Sequence, residues 1–173
     1  MTSRKDRIIR ALHLSPHPEG GYFRETYRSP LNLPVHQQTE AFEGPRAACT
    51  GIYYLLGAGD FSAFHRIKSD EMWHHYEGVP LTIHLIHPDG LYQAVTIGGD
   101  VGAGGRPQFV VPANTWFAVT IEANPETQPE AFALAGCTVS PGFDFKDFEM
   151  ANGYMLKNAF PEHADLISEL VRE

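Results

Sequence analysis

The chain has 173 residues, with 13 Lys and Arg against 21 Asp and Glu and a net charge of −8. That length is enough for one packed core, and the residues are read as a single domain, 1–173. The acidic balance, without any cluster of Lys and Arg, argues against nucleic acid or an anionic membrane as a partner.

No apolar run approaches the ~20 residues of a membrane-spanning helix. The charged start Met1-Thr-Ser-Arg-Lys-Asp-Arg7 lacks the apolar centre of a signal peptide, so the cytoplasm is the expected compartment. Sixteen glycines and thirteen prolines suit short strands and tight turns better than a helical bundle.

In chain order, residues 4–14 place Ile8, Ile9, Ala11 and Leu12 on one stripe opposite Arg4, Arg7 and Arg10, predicting an amphipathic helix. His13 to Gly21, broken by Pro16, Pro18 and Gly20-Gly21, reads as a loop. Residues 21–27 alternate as a strand, and residues 29–46 read as a long loop or lid at the rim of a pocket. Eight strands follow, over 50–56, 62–67, 71–76, 81–87, 92–97, 108–111, 116–121 and 131–139. Asp89-Gly90 marks a hairpin between two of them.

The stretch 98–105 holds five glycines in eight residues and reads as a flexible loop. The tail 161–173 reads as a helix, with Pro161 at its start and Leu166, Ile167, Leu170 and Val171 on one face. Cys49 and Cys137 lie in apolar strand surroundings and are expected as two buried free thiols. The expected class is all-β, a jelly-roll barrel with short helices at both ends.

The densest signal runs from Gly59 through His65 and Glu71 to Gly78. A glycine, five spacers, His65, a short gap, Glu71, six spacers and a second glycine form the skeleton of the first cupin motif, which aims an imidazole and a carboxylate into a small barrel. The second histidine of that motif falls at Ile67. In the second motif, Pro112-Ala-Asn114-Thr-Trp-Phe117, Asn114 stands at the turn where glycine is usual, and Phe117 takes the place of the fourth ligand.

Residues two apart on a strand share a face. The expected interior set is therefore His65, Ile67, Glu71, Trp73 and His75, with His84 from the next strand also turned inward. Tyr53, Phe64, Trp73 and Phe117 are expected to make the wall aromatic. Two of the four usual metal ligands are absent, and transition-metal sites normally use three protein donors. No cofactor is expected. If a divalent metal is held, His65, Glu71, His75 and His84 are the candidate donors. The bland alternative for His65 and Glu71 is a satisfied hydrogen-bonded pair with no chemistry.

Four stretches together carry a more particular resemblance: His17–Arg28, Ser62–His74, Val110–Phe117 and Gly136–Phe148. They resemble an uncharacterised branch of the cupin superfamily, its fifth family and a domain of unknown function. Ile67 and Phe117 then read as habits of the branch. The resemblance implies a jelly-roll homodimer with a small-molecule pocket in each barrel, and no known reaction.

A more distant likeness is to the nucleotide-sugar epimerase cupins. Gly21-Tyr22-Phe23-Arg24-Glu25 is similar to their nucleotide-contacting segment, and their catalytic histidine lies at the position of His65. Their phosphate-binding arginine falls at Gly20. That likeness implies a metal-independent isomerase or epimerase acting on a sugar-like or carbonyl compound. His65 would be the base, Glu71 would orient it, and Tyr22, Phe23, Arg24, Glu25 and Tyr53 would hold the substrate. Two alternatives stay open: a non-catalytic small-ligand binding protein, and a metal-dependent oxygenase or lyase. Asp144 and Asp147, beside a Pro-Gly turn, read as local capping groups. Asp144 would orient His65 only if its segment crosses the pocket mouth.

Overall fold

The computed structural model describes residues 2–34 and 42–172. The chain opens with helix α1 (Arg4–Ala11), capped by Ser3, whose side chain accepts from the Asp6 amide. Then come strands β1 (Ser15–Pro16), β2 (Tyr22–Arg28), β3 (Asn32–Leu33), β4 (Arg46–Ala47), β5 (Thr50–Gly57), β6 (Ser62–Ile67), β7 (Asp70–Gly78) and β8 (Leu81–Ile86). Strands β9 (Tyr92–Ile97), β10 (Gln108–Val111), β11 (Trp116–Ile121), β12 (Phe132–Ser140) and β13 (Phe148–Met150) complete the β structure, and α2 (Gly153–Ala159) and α3 (Ala164–Glu169) close the chain.

Six strands form one sheet in the order β1-β2-β5-β12-β7-β10, and five form a second in the order β13-β6-β11-β8-β9. These two packed antiparallel sheets are the jelly roll expected from the strand spacing. Among the described residues no helix is long and apolar enough to cross a membrane.

Alternation along each strand decides what goes inside. On β8, Leu81, Ile83 and Leu85 are fully buried in the main core between the sheets, together with Trp73, Phe117 and Val119. On the outer side of the second sheet, Phe64, Ile86 and Ala118 pack under Leu156, Ile167 and Leu170 of the C-terminal helices. A third cluster sets Ile8 of α1 and Leu14 against Leu55 and Phe132, so α1 covers the outer face of the first sheet. Fully burying such side chains is worth about 1.5–3 kcal/mol each, which makes these three clusters the main support of the barrel.

Several elements differ from expectation. The loop 13–21 contains the short strand β1, paired with β2 through Ser15 and Phe23. Helix α2 was not anticipated. Its N-cap is Asn152, whose side chain accepts from Met155. The glycine-rich stretch contains a 3-10 turn at Val101–Ala103, capped by Asp100. The tail is a 3-10 turn at Pro161–His163 running into α3.

Residues 35–41 of the expected lid lie outside the described residues. On either side of them the chain is tied together as the β3–β4 ladder. Asn114 adopts φ 60°, the left-handed conformation its place at the turn calls for. Both cysteines are free, with Cys137 buried and Cys49 only half-buried.

Candidate functional site

The cavity has a volume of about 300 Å³ and opens at one end of the barrel. Strands β2, β5, β6, β7 and β12 build its sides, and the chain between Phe143 and Phe148 crosses its mouth. Two β-bulges decide which polar groups enter it.

On β6 the pairing with β11 shifts between Phe117 and Val119, so Ser62 and His65 both face inward although they are three residues apart. On β2 the pairing with β5 shifts between Glu25 and Tyr27. That extra residue turns Arg28 toward the cavity and leaves Tyr27 exposed.

The inner end of the cavity is a polar cluster. His65 is 2 % exposed, and its Nδ1 lies 2.7 Å from the Ala63 carbonyl. A carbonyl only accepts, so Nδ1 carries a proton. The other nitrogen, Nε2, lies 3.1 Å from Oε2 of Glu19, while Oε1 of Glu19 accepts from the Ser62 hydroxyl at 2.9 Å.

Burial lowers the His65 pKa and raises that of Glu19. Both shifts favour a neutral pair in which the Glu19 O–H donates to His65 Nε2. Both ring nitrogens of His65 are therefore occupied by protein.

His17 stands beside this pair. Its Nδ1 accepts the Glu19 amide at 3.3 Å, and burial holds its pKa below the usual histidine value. Nδ1 also lies 3.4 Å from Glu19 Oε2; with Nδ1 accepting the amide, the neutral ring carries its proton on Nε2, for which no partner is found among the described residues, and His17 lines the cavity.

Glu71 faces the cavity from β7 and is 8 % exposed. Burial, the largest cause, pushes its pKa up to about 7, against the opposing hydrogen bond of the Cys137 thiol. That thiol is its hydrogen-bond partner, and burial raises the thiol well above its ordinary value. Tyr54, also lining the cavity, donates to the Gly20 carbonyl at 2.8 Å.

Apolar side chains make the walls: Phe23, Ile52, Ile67, Val139 and Phe148. At the mouth, Arg28 closes a two-armed pair with Glu25 at 3.0 and 2.7 Å and also donates to the Phe143 carbonyl. Asp144 accepts from the Lys146 amide at 2.9 Å.

Of the residues expected inside, His65, Ile67, Glu71, Phe23 and Glu25 line the cavity. The others lie elsewhere, for identifiable reasons. Along β7 each pair of residues advances about 6.6 Å, so only Glu71 reaches the cavity. Trp73 sits deeper, 5.3 Å from the Tyr54 ring, and His75 reaches the far end, where Nε2 meets the Val79 carbonyl at 3.1 Å.

Phe117 backs His65 from behind, with ring centroids 4.1 Å apart. Phe64 follows from alternation: with His65 inward, it packs outward under the C-terminal helices. Tyr22 and Tyr53 pack on the outer face with the α1 cluster, and Arg24 donates to the Leu12 carbonyl.

The inward orientation expected of His84 is corrected. Its neighbours Ile83 and Leu85 fill the core, so His84 faces out and contacts Tyr92 and Thr120. Asp144 does reach the mouth but makes no contact with His65, and Asp147 is buried against Arg46.

His17 and Glu19 were missed as site residues because they sit in an aperiodic loop. The His17-Pro-Glu19-Gly-Gly segment was the available signal. Gly20, at φ 117°, leaves no room for a Cβ, which would meet the Phe61 carbonyl oxygen at 2.1 Å. That fit locks the loop and aims Glu19 at His65.

Residues 6–151 match the family model described as Cupin superfamily (DUF985). The chain belongs to that family. Its relatives include an uncharacterized protein of Saccharomyces cerevisiae, 31% identical over 153 residues, covering 85% of this chain and 75% of that one. Among solved structures, this cupin is similar to a protein from Shewanella oneidensis with 38% identity and a TM-score of 0.83, covering 99% of both chains. A hypothetical protein from Leishmania major matches with 32% identity and a TM-score of 0.87, over 99% of this chain and 100% of that one. Oxalate decarboxylase from Bacillus subtilis shares the fold at 15% identity and a TM-score of 0.53, over 91% of this chain and 37% of that one.

In metal-binding cupins the two motifs supply the donors. Here Ile67 and Phe117 put hydrocarbon at two of those places, and His65 Nε2 is turned to Glu19. Among the described residues no group of three or more His, Cys, Asp and Glu side chains is placed to hold a metal ion. The donor set does not fit the metal of those cupins.

Proposed function

We propose that this cupin binds a small, unphosphorylated carbonyl compound and moves a proton at the carbon next to the carbonyl, as a metal-independent isomerase or epimerase does. One observation carries the reading: Glu71 is a buried carboxyl that lines the cavity, has only the Cys137 thiol as a hydrogen-bond partner among the described residues, and has its pKa pushed up to about 7 by burial. A base poised near the working pH maximises proton transfer in both directions.

The proton-exchanging role moves from His65 to Glu71, because accepting a proton at His65 Nε2 would require breaking its contact with Glu19. In the proposed step the Glu71 carboxylate takes the C–H proton and the electron pair moves to the carbonyl oxygen. The neutral His17 donates from Nε2–H to that oxygen, where charge develops. For a 2-hydroxy carbonyl compound the protonated Glu71 then returns its proton to the former carbonyl carbon, while the hydroxyl proton on the first carbon passes to the former carbonyl oxygen, so the carbonyl moves by one carbon and the charges balance. Residues 19 and 65 hold the inner end uncharged and His17 in place.

Arg28, the only arginine among the described lining residues, is engaged by Glu25 and the Phe143 carbonyl. No free cation among the described lining residues awaits a diphosphate, which supports an unphosphorylated substrate.

The test is NMR of small ketoses, aldoses and 2-oxo compounds incubated with the protein in D2O. The expected result is enzyme-dependent exchange of a carbon-bound proton in at least one compound, slowed by about 10²–10⁴-fold in Glu71→Gln. Binding without exchange in any compound would favour the non-catalytic binding protein instead.

A further inference from the structure

Resting on the reading that His17 and Glu19 belong to the working site, we propose that Arg172 is a positioning residue for it, clamping the loop 17–21 so that His17 presents its Nε2–H to the cavity. The loop needs a clamp. Gly20 and Gly21 both sit at positive φ, 117° and 68°, and glycine by itself holds no one conformation. The loop's own turn supplies two bonds, from the Gly20 amide to the His17 carbonyl and from the His17 amide to the Gly21 carbonyl, each at 3.0 Å.

Arg172 grips this turn from the segment that follows α3. That segment is itself pinned to β6, where the Phe64 amide donates to the Leu170 carbonyl at 2.7 Å. Arg172 Nε donates to the Glu19 carbonyl at 2.9 Å, and Nη2 donates to the Phe61 carbonyl at 2.8 Å and to Asp60 Oδ1. The guanidinium carbon lies 4.4 Å from the centroid of the Phe61 ring. Asp60 turns its second oxygen to the Gly21 amide at 3.0 Å. The ion pair therefore holds the loop on both sides of Gly20. A Cβ on Gly20 would collide with the guanidinium as well as with Phe61, so the bare glycine is what admits the arginine.

The consequence reaches the cavity through Glu19. With its carbonyl held by Arg172 and by the Ala63 amide at 2.8 Å, Glu19 aims its own amide at His17 Nδ1, 3.3 Å away. That bond is what leaves the ring proton on Nε2. Serving two carbonyls and a carboxylate while stacked on a ring takes the planar fork of arginine, which the single nitrogen of lysine does not reproduce.

Nitrogen-15 NMR of the ring nitrogens in the histidine-labelled full chain tests this at pH 8, with His17 assigned by its loss in His17→Gln. The unsubstituted protein is expected to show His17 as the single Nε2–H tautomer. Arg172→Ala, and Arg172→Lys as the variant that keeps the charge beside Asp60, are each expected to show a mixture of the two neutral tautomers. His84, on the outer face of the second sheet, keeps its signals in both. A role in folding alone would lower the melting temperature and leave the tautomer of the folded protein unchanged. On a carbonyl compound that the protein turns over, both variants are expected to slow proton exchange about 10–100-fold with KM little changed.

The inference is overturned if His17 keeps the Nε2–H tautomer in both folded variants, or if the unsubstituted protein carries that proton on Nδ1. A shifted tautomer in a protein that exchanges no carbonyl compound leaves the clamp standing and removes the proposed reaction. Undiminished exchange with an unshifted tautomer in both variants removes the clamp and leaves the reaction standing.

Discussion

Two buried polar clusters in this barrel differ in one respect that separates scaffold from site. Arg46 and Asp147, each with a side chain 4% exposed, form a closed network. The guanidinium meets both carboxylate oxygens at 2.6 and 2.8 Å, and its remaining arm donates to the carbonyls of Glu43, Gly44 and Pro45. The cluster of His17, Glu19, His65 and Glu71 is similarly buried but open, because its members line the cavity. A closed network fixes chain segments to each other, here the 43–46 turn to the 3-10 turn at Phe145–Asp147 that borders the mouth. An open one keeps hydrogen-bonding capacity in reserve, at a cost in stability that a ligand offsets.

Breaking the closed cluster gives the largest expected effect. Asp147→Ala strands a buried guanidinium and is predicted to lower stability by about 3–5 kcal/mol, measured by urea unfolding. Replacing both partners by apolar residues is predicted to cost far less.

The open cluster responds with the opposite sign. The Glu71 pKa is raised in the folded state to about 7, so its contribution is fully present below the unfolded value. It is lost as pH rises through 7. Glu71→Gln is therefore predicted to stabilise the protein at pH 8 by roughly 3 kcal/mol relative to its effect at pH 4. Paired unfolding curves at the two pH values check this.

At Gly20, substitution by Ala is predicted to cost about 1–3 kcal/mol and to disturb ligand binding as well, because a Cβ there collides with backbone. The smallest effect belongs to the exposed pair of Arg4 and Glu77, 2.9 Å apart. Arg4→Ala is predicted to leave the melting temperature unchanged, since solvent screens such pairs.

How much of this was legible in the sequence follows from where each residue sits. The barrel, its strand order along the chain and the inward set of His65, Ile67, Glu71, Phe23 and Glu25 follow from period-two alternation, which is local. Applied consistently, the same alternation also assigns Phe64, Tyr53, Tyr22 and Arg24 to the outer faces. It cannot say how deep along a strand a side chain lies, which is why Trp73 and His75 were placed too near the cavity.

Bulges defeat alternation outright. Arg28 and Ser62 face inward only because one strand carries an extra residue. His17 and Glu19 depend on a glycine-locked loop folding against a strand more than forty positions away, and no periodicity reports that contact.

The account's central claim is that the open cluster is kept uncharged at its inner end with Glu71 poised to exchange a proton near neutrality. A 13C NMR titration of the glutamate side-chain carboxyls from pH 4 to 9 tests it most directly. The account predicts one carboxyl titrating at about 7 whose signal disappears in Glu71→Gln. A Glu71 carboxyl that has already ionised in the ordinary glutamate range would contradict it.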